Sequence, residues 1–163
     1  MIEFGKIKAV ITDFDGIFTD GSVYVDANGN QSKRINYLDV MAIAMLIKNG
    51  FAPIIVSGEN AGALDYLNEK FEKLEVHGGI RRKKDLVVEI LERRGFLPEE
   101  VLYVGDDIND LESLLYCGYM ATSANAHSDI KAIPGIYVAE KFGGSGAFRE
   151  IVDKIPGIRQ EFQ

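Results

Sequence analysis

Three short apolar segments of this chain are each followed, within two residues, by a polar or charged side chain. Asp13 follows the first segment, Ser57 the second, and Gly105-Asp106 the third. The segments are residues 8–12, 54–56 and 101–104. Short β-branched runs that alternate with helical stretches are typical of a parallel sheet covered on both faces. Because ligands of such proteins bind at the carboxyl ends of the strands, the pattern predicts an α/β domain with its chemistry at that edge.

The rest of the pattern predicts one domain over residues 1–163, with a Rossmann-like, three-layer fold and a mainly parallel central sheet. Asp39 is the predicted N-cap of a helix over 40–47, and Gly95 is the predicted end of an amphipathic helix over 84–94. The other predicted elements are helices over 60–71 and 111–116 and strands at 76, 119–121 and 136–138.

Asn28-Gly29 lies between two β-prone runs, residues 23–25 and 35–37. This dipeptide is a strong hairpin signal because type I′ turns need two residues that tolerate positive φ. The sequence therefore predicts a β-hairpin flap over about 22–38.

The composition argues against nucleic acid or an anionic membrane as the main partner. The 163 residues have a net charge of −7 and a pI near 4.9, whereas both partners favour basic surfaces. The single cysteine, Cys117, can form no internal disulfide and is expected to be buried. The first residues lack a secretory pattern, and no apolar run approaches the ~18 residues of a membrane span. We expect a soluble, cytoplasmic protein that acts on a small molecule.

The polar sites together resemble the motifs of the haloacid dehalogenase (HAD) superfamily of phosphohydrolases. The matching residues, in motif order, are Asp13-Phe14-Asp15-Gly16-Ile17-Phe18-Thr19, Ser57, Lys83 and Gly105-Asp106-Asp107-Ile108-Asn109-Asp110. Only 41 residues lie between Asp15 and Ser57, and only 25 between Ser57 and Lys83, which leaves no room for a cap domain. The resemblance is therefore to the capless branch of the superfamily.

Within that branch the chain is similar to small phosphatases of ulosonic acid biosynthesis. The shared features are Thr19-Asp20-Gly21 and the glycine-rich segment 143–150. This resemblance implies a substrate such as KDO 8-phosphate or a sialic-type ester such as KDN 9-phosphate. Gly58-Glu59 and Lys70 match the sialic-type members, and Glu59 and Lys70 are the expected substrate contacts. Leu67 departs from that group, which has an arginine at this position.

The chemistry implied by the resemblance also follows from the residue types. A phosphate dianion repels a carboxylate, so Asp13 as a nucleophile needs a divalent cation and fixed positive charge. Asp13 and Asp15 lie two residues apart on an extended segment and point to the same side, so Asp15 is the expected general acid and base. The expected Mg²⁺ ligands are the carboxylates of Asp13 and Asp106 and the backbone carbonyl of Asp15.

The other site residues have supporting roles. Ser57 and the Gly58 amide are expected to bind phosphate, and Lys83 to supply positive charge as the phosphoryl group transfers. Asp107 and Asp110 are expected to orient the metal ligands. In the run 81–85 the register is open, and Lys84 is the alternative to Lys83.

Two other kinds of site also have acids like those at Asp13 and Asp15. An EF-hand calcium loop is disfavoured because Ile17 occupies a ligand position and no helix flanks the run. A response-regulator receiver would have its acidic pair before the acceptor aspartate on a later strand, whereas Asp13 is on the first.

The lack of a cap leaves the intermediate exposed to water, and the resemblance implies that a homotetramer supplies the lid. Gly143, Gly144 and Gly146 would give the C-terminal segment flexibility, and Arg149 is a possible anchor. The predicted function is a magnesium-dependent phosphatase. The alternatives are a non-catalytic or regulatory domain associated with a sugar-acid cytidylyltransferase, and a phosphomutase.

Overall fold

The computed structural model describes residues 6–60 and 62–158 of the chain. The strands are β1 (Ala9–Thr12), β2 (Tyr24–Val25), β3 (Gln31–Ser32), β4 (Ala52–Val56), β5 (Glu75–His77), β6 (Val101–Val104), β7 (Tyr119–Thr122) and β8 (Tyr137–Val138). The helices are α1 (Tyr37–Lys48), α2 (Gly62–Lys70), α3 (Lys83–Arg94), α4 (Leu111–Tyr116), α5 (Ser128–Lys131) and α6 (Ala147–Val152). Two 3₁₀ turns, Pro98–Glu100 and Ile108–Asp110, precede β6 and α4.

Six strands form a parallel sheet in the order β5-β4-β1-β6-β7-β8, which confirms the predicted fold class. β1 lies between β4 and β6, and Thr12 pairs with Ile55 and Val104. The carboxyl ends of these three strands therefore lie side by side in the sheet. This register places the residues that follow β1, β4 and β6 at one edge.

The sheet separates two apolar clusters, because successive side chains of a strand point to opposite faces. Val10 of β1 packs on the side of α1 and α6, with Phe14 and Phe148. Ile11 packs on the other side with residues of α3 and α4. Both faces are thus covered, as expected for a parallel sheet.

Helix α1 begins earlier than predicted, and Asp39 is not its N-cap. Asn36 is the N-cap, and its side-chain oxygen accepts a hydrogen bond from the Leu38 amide at 2.9 Å. Asp39 lies in the first turn and is fully buried. Its carboxylate accepts hydrogen bonds from the amides of Gly146 (3.1 Å) and Arg149 (2.9 Å). Asp39 therefore binds the start of α6, a contact that only the tertiary fold creates.

Replacing Asp39 by asparagine is expected to remove a pH dependence from stability. Burial raises the pKa of Asp39 from 3.8 to about 6, so the folded chain holds this proton more tightly than the unfolded one. The free energy of unfolding therefore falls as pH rises from about 4 to about 6, by roughly 3 kcal/mol from this group. Urea unfolding across this range measures the slope. Asp39→Asn should have a shallower slope than the wild type, and an unchanged slope would contradict this assignment.

The flap forms, but with a different register from the predicted one. β2 pairs antiparallel with β3, and the run 35–37 instead leads into α1. The turn closes early because the Asp26 carboxylate accepts hydrogen bonds from the amides of Asn28 (2.8 Å) and Asn30 (2.9 Å). Gly29, with φ of +82°, completes it. The predicted bounds of about 22–38 were therefore too wide at the C-terminal end.

Other local predictions agree with the structure. Gly95 ends α3 in the left-handed conformation, with φ of +68°. Cys117 is buried, and burial raises the pKa of its thiol to about 12. Among the described residues, no helix has the length and apolar character needed to cross a membrane.

Candidate active site

The predicted site residues converge at the carboxyl edge of the sheet. Asp13 directly follows β1, Ser57 follows β4, and Asp106 lies two residues beyond β6. Phe14 points into the core and is fully buried. Asp13, before Phe14, is also buried, whereas Asp15, after it, is partly exposed.

Lys83, the first residue of α3, lies between two carboxylates. Its Nζ is 2.7 Å from Asp13 Oδ2 and 2.9 Å from Asp110 Oδ1. The Lys83 side chain is only 1% exposed. Lys84 instead places its Nζ 5.6 Å from the centre of the Tyr116 ring. Of the two lysines, Lys83 is therefore the one that the structure brings to Asp13.

Both carboxylate oxygens of Asp110 accept hydrogen bonds. Oδ1 accepts from Lys83 and from the Tyr103 hydroxyl, the latter at 2.8 Å. Oδ2 accepts from the backbone amides of Asp106 (3.1 Å) and Asp107 (3.4 Å). Asp110 therefore fixes both Lys83 and the loop that presents Asp106.

Burial and crowding perturb the acids of this cluster. Burial and then the charge of Asp110 raise the pKa of Asp13 well above its ordinary value, although Lys83 opposes this. Burial, then Asp110 and Asp107, raise the pKa of Asp106 to about 7. Burial lowers the pKa of Lys83, but Asp110 and Asp13 outweigh it, and the net shift is upward. The cluster thus has more negative charge than one lysine can offset.

The arrangement fits a divalent cation. Among the described residues, Asp13, Asp106 and Asp110 each offer an oxygen, and these atoms lie within 4.8 Å of one another. Gly16 has φ of +76°, and a Cβ at this position would overlap the Asp106 carboxylate. The loop after β1 can therefore approach Asp106 only with glycine at position 16. Since Asp110 already accepts four hydrogen bonds, Asp13 and Asp106 have the oxygens better placed to bind a metal.

Asp15 is held by two side chains. Thr19 donates a hydrogen bond from Oγ1 to Asp15 Oδ1 at 3.1 Å. Lys33, the residue after β3 of the flap, places its Nζ 2.8 Å from Oδ1 and 2.7 Å from Oδ2. The flap is thus joined to the predicted acid and base by an ion pair.

Ser57 is buried and lies within a turn. Its amide donates to the His77 carbonyl at 2.8 Å, and its Oγ accepts from the Glu59 amide at 3.2 Å. Because a hydroxyl both accepts and donates, the Ser57 O–H can still donate to a phosphate oxygen. This geometry fits the predicted phosphate-binding role of Ser57 with the adjacent Gly58.

A cleft of about 800 Å³ opens beside Asp15. Glu59 and Tyr66 lie on its wall opposite the flap. The structure does not bring Lys70 to this wall. Its Nζ is instead 5.8 to 5.9 Å from the ring centres of three aromatic residues, Tyr37, Tyr66 and Phe71. Leu67 is fully buried in the core, so its position on α2 faces away from the cleft.

A larger cleft, of about 990 Å³, lies at the opposite edge of the sheet. Residues next to the amino ends of β1 and β4, such as Lys8 and Phe51, line it. None of the acids of the Asp13 cluster is among its walls. We therefore place the chemistry at the smaller cleft and the carboxyl edge.

The glycine-rich segment packs against the loop after β1. A Cβ at Gly143 would overlap the Gly16 carbonyl, and one at Gly144 would be 2.7 Å from the Asp20 amide nitrogen. Gly146 is the N-cap of α6. Arg149 pairs with Asp153 at 3.0 Å. These glycines allow close backbone packing here, which gives them a role besides the predicted flexibility.

Two residues of the site, Lys33 and Tyr103, could not be predicted from the sequence. Lys33 follows a short exposed strand, and nothing in its spacing relates it to Asp15. Tyr103 lies within the continuous apolar run of β6, a pattern typical of a core side chain. Only the hydroxyl of a fully buried tyrosine, which needs a partner, could have suggested its contact with Asp110.

No protein-family model matches the chain. A curated relative is the 3-deoxy-D-manno-octulosonate 8-phosphate phosphatase KdsC of Haemophilus influenzae, which is 33% identical over 151 residues. The match covers 92% of this chain and 83% of the relative. The chain belongs to the KdsC family of phosphatases. The prediction of a phosphoric monoester hydrolase is thereby confirmed at the level of the family.

Solved structures of the KdsC family and of other HAD proteins share the fold. A HAD family hydrolase from Streptomyces avermitilis has a TM-score of 0.88 at 34% identity, over 97% of this chain and 91% of that one. The cobalt-bound form of the deoxy-D-mannose-octulosonate 8-phosphate phosphatase from Haemophilus influenzae has a TM-score of 0.85 at 32% identity, over 95% and 88%. The predicted HAD superfamily is confirmed.

Proposed function

We propose that this chain is a magnesium-dependent phosphatase that hydrolyses the phosphate monoester of an ulosonic acid. The observation that supports it most strongly is the buried Lys83 between Asp13 and Asp110, next to Asp106. A lysine with 1% exposure is costly to bury unless its charge is paired, and both partners of Lys83 belong to the proposed catalytic cluster. A domain that only bound a sugar phosphate would not need this arrangement, which favours catalysis over the regulatory alternative.

The proposed metal ligands are the carboxylates of Asp13 and Asp106 and the backbone carbonyl of Asp15. Oxygen donors suit Mg²⁺, and the cobalt-bound form of a relative supports the proposal that this chain also binds a divalent cation. When bound, the cation would supply Lewis-acid stabilisation of the phosphoryl oxygens. Asp110 would act mainly by holding Lys83 and the loop of Asp106.

Asp13 is the proposed nucleophile. A carboxylate oxygen of Asp13 attacks phosphorus, and the bond between phosphorus and the sugar oxygen breaks with its electron pair left on that oxygen. Asp15 gives this oxygen a proton. Ser57 and the Gly58 amide donate hydrogen bonds to the phosphoryl oxygens, and Lys83 offsets their charge.

The second displacement regenerates the enzyme. Asp15, now a carboxylate, removes a proton from a water that attacks the phosphorus of the phosphorylated Asp13. The bond between phosphorus and the Asp13 oxygen breaks, and phosphate leaves. Each carboxylate thus returns to its starting state, and the net reaction consumes one water.

The substrate is proposed as KDO 8-phosphate or a sialic-type 9-phosphate such as KDN 9-phosphate. The names of the relatives support the first, and Glu59 on the cleft wall supports the second. Lys70 would reach a substrate only with a change of rotamer or from a second subunit. We propose a homotetramer, because within residues 6–60 and 62–158 the cover of the cleft beside Asp15 is the short flap.

Phosphate release with and without metal tests the proposal. Metal-free protein is assayed on KDO 8-phosphate, a nine-carbon 9-phosphate and a neutral sugar phosphate. Mg²⁺ should restore release from a sugar-acid ester, and excess chelator should lower it at least about a hundredfold because the charge on the phosphoryl oxygens is then uncompensated. Release from none of the esters in the presence of Mg²⁺ would overturn the proposed function.

A further inference from the structure

The ion pair between Lys33 and Asp15 is the one link of the described flap to the catalytic acids. Both Asp15 oxygens lie within 2.8 Å of the Lys33 Nζ, and the Lys33 side chain is only 10% exposed. The Nζ also lies 6.0 Å from the centre of the ring of Phe14, the residue before Asp15. A lysine next to an exposed two-residue strand is ordinarily solvated, whereas Lys33 is largely buried and pairs with both oxygens of one carboxylate.

Of the two adjacent basic residues on the flap, Lys33 and not Arg34 enters the acidic cleft. Lys33 is the single cation among the described residues that line the 800 Å³ cleft, whereas Asp15 and Glu59 are both acidic. Arg34, the next residue, turns away and lies 3.7 Å from Asp20 with its side chain 54% exposed. The flap therefore directs one of two adjacent basic side chains at Asp15.

Two contacts fix the Asp15 carboxylate, one from a near and one from a distant position in the chain. Thr19 lies four residues beyond Asp15 and is itself held by the amides of Gly16 (3.3 Å) and Gly21 (3.2 Å). Lys33 is eighteen residues away and is supplied by the flap. The Thr19 contact is built into the loop after β1, but the Lys33 contact exists only when the flap lies over the site.

We propose that Lys33 is a positioning residue that makes closure of the flap and correct placement of Asp15 a single event. The inference rests on the proposed function and deepens it. Asp15 carries a proton when the ester binds. As the bond from phosphorus to the sugar oxygen breaks, Asp15 gives that oxygen the proton and becomes the carboxylate that pairs with Lys33 in this structure. Lys33 keeps all of its own protons and stabilises the carboxylate that forms. Its contribution is therefore largest for esters whose leaving oxygen must be protonated.

Lys33→Met is tested with two esters that differ in this requirement. A sugar-acid phosphate leaves as an alkoxide, which needs a proton, whereas p-nitrophenyl phosphate leaves as a stable phenolate. Lys33→Met should lower kcat about a hundredfold on the sugar-acid ester and less than about tenfold on the aryl ester. Lys33→Arg should recover part of the loss. Arg34→Met removes the same charge from the adjacent residue and should stay within about twofold of wild type on both esters.

A double-mutant cycle separates positioning from a general effect on the flap. If Lys33 acts through Asp15, adding Lys33→Met to Asp15→Asn should lower the remaining rate by no more than about threefold. Equal losses on both esters, or an additive loss in the Asp15→Asn background, would overturn the inference while the proposed function stands. A wild-type chain that hydrolyses no ester with Mg²⁺ present would overturn the proposed function, and the role of Lys33 with it.

Discussion

Asp13→Asn is expected to lower phosphate release by at least about 10⁵-fold, the scale of loss seen when a nucleophile is removed. An amide oxygen is a poor nucleophile and does not bind a divalent cation as a carboxylate does. The change is nearly isosteric, and Asp110 still pairs with Lys83 at 2.9 Å. The variant should therefore stay folded, which circular dichroism and thermal melting would verify beside the phosphate assay.

Asp85→Asn is the matched control, because Asp85 is an acid on α3 whose side chain is 57% exposed. It should retain the activity of the wild type. Mass spectrometry after rapid quenching should find a phosphoryl group on the Asp13 peptide of the wild type and none in Asp13→Asn. Turnover by Asp13→Asn at the wild-type rate, or a trapped phosphoryl group on another residue, would contradict the assignment of the nucleophile.

The architecture could be predicted because its signals are local. β1, β4 and β6 are short apolar runs, and each is followed by a turn residue with a polar side chain. Parallel pairing then brings these ends to one edge regardless of side-chain detail. Lys83 could be predicted only as one of two neighbours, because a run of basic residues at a helix start looks the same whichever residue turns inward.

The errors arise where long-range packing overrides local preference. Asp39 has the residue type of an N-cap, but Asn36 fills that position, and the carboxylate of Asp39 binds α6 more than a hundred residues later in the chain. The hairpin signal at Asn28-Gly29 located the turn, yet the hydrogen bonds of Asp26 set its register. No local pattern could place Lys33, because its partner is eighteen residues away across the flap.

Lys83→Met is expected to lower both stability and activity. Methionine fills a similar volume but leaves Asp13 and Asp110 facing each other in the core without a cation. Breaking a buried ion pair on one side costs about 3–5 kcal/mol, and loss of an electrostatic contact to the transition state costs about 10² to 10³ in kcat. Urea unfolding and phosphate release measure the two effects. Lys84→Met is the matched control, because Lys84 lies over Tyr116 and contacts neither acid.

The cause of the stability loss in Lys83→Met can be tested by measuring its unfolding free energy at several pH values and with added Mg²⁺. If uncompensated charge is responsible, protonation of Asp13 relieves it, so the deficit of Lys83→Met should shrink as pH falls. The pKa of Asp13 is already raised by burial and by Asp110, and loss of Lys83 removes the group that opposes this rise. Mg²⁺ should also recover part of the deficit, since a bound cation would replace some of the missing charge. A deficit that is constant with pH and unchanged by Mg²⁺ would instead mean that Lys83 acts mainly by packing.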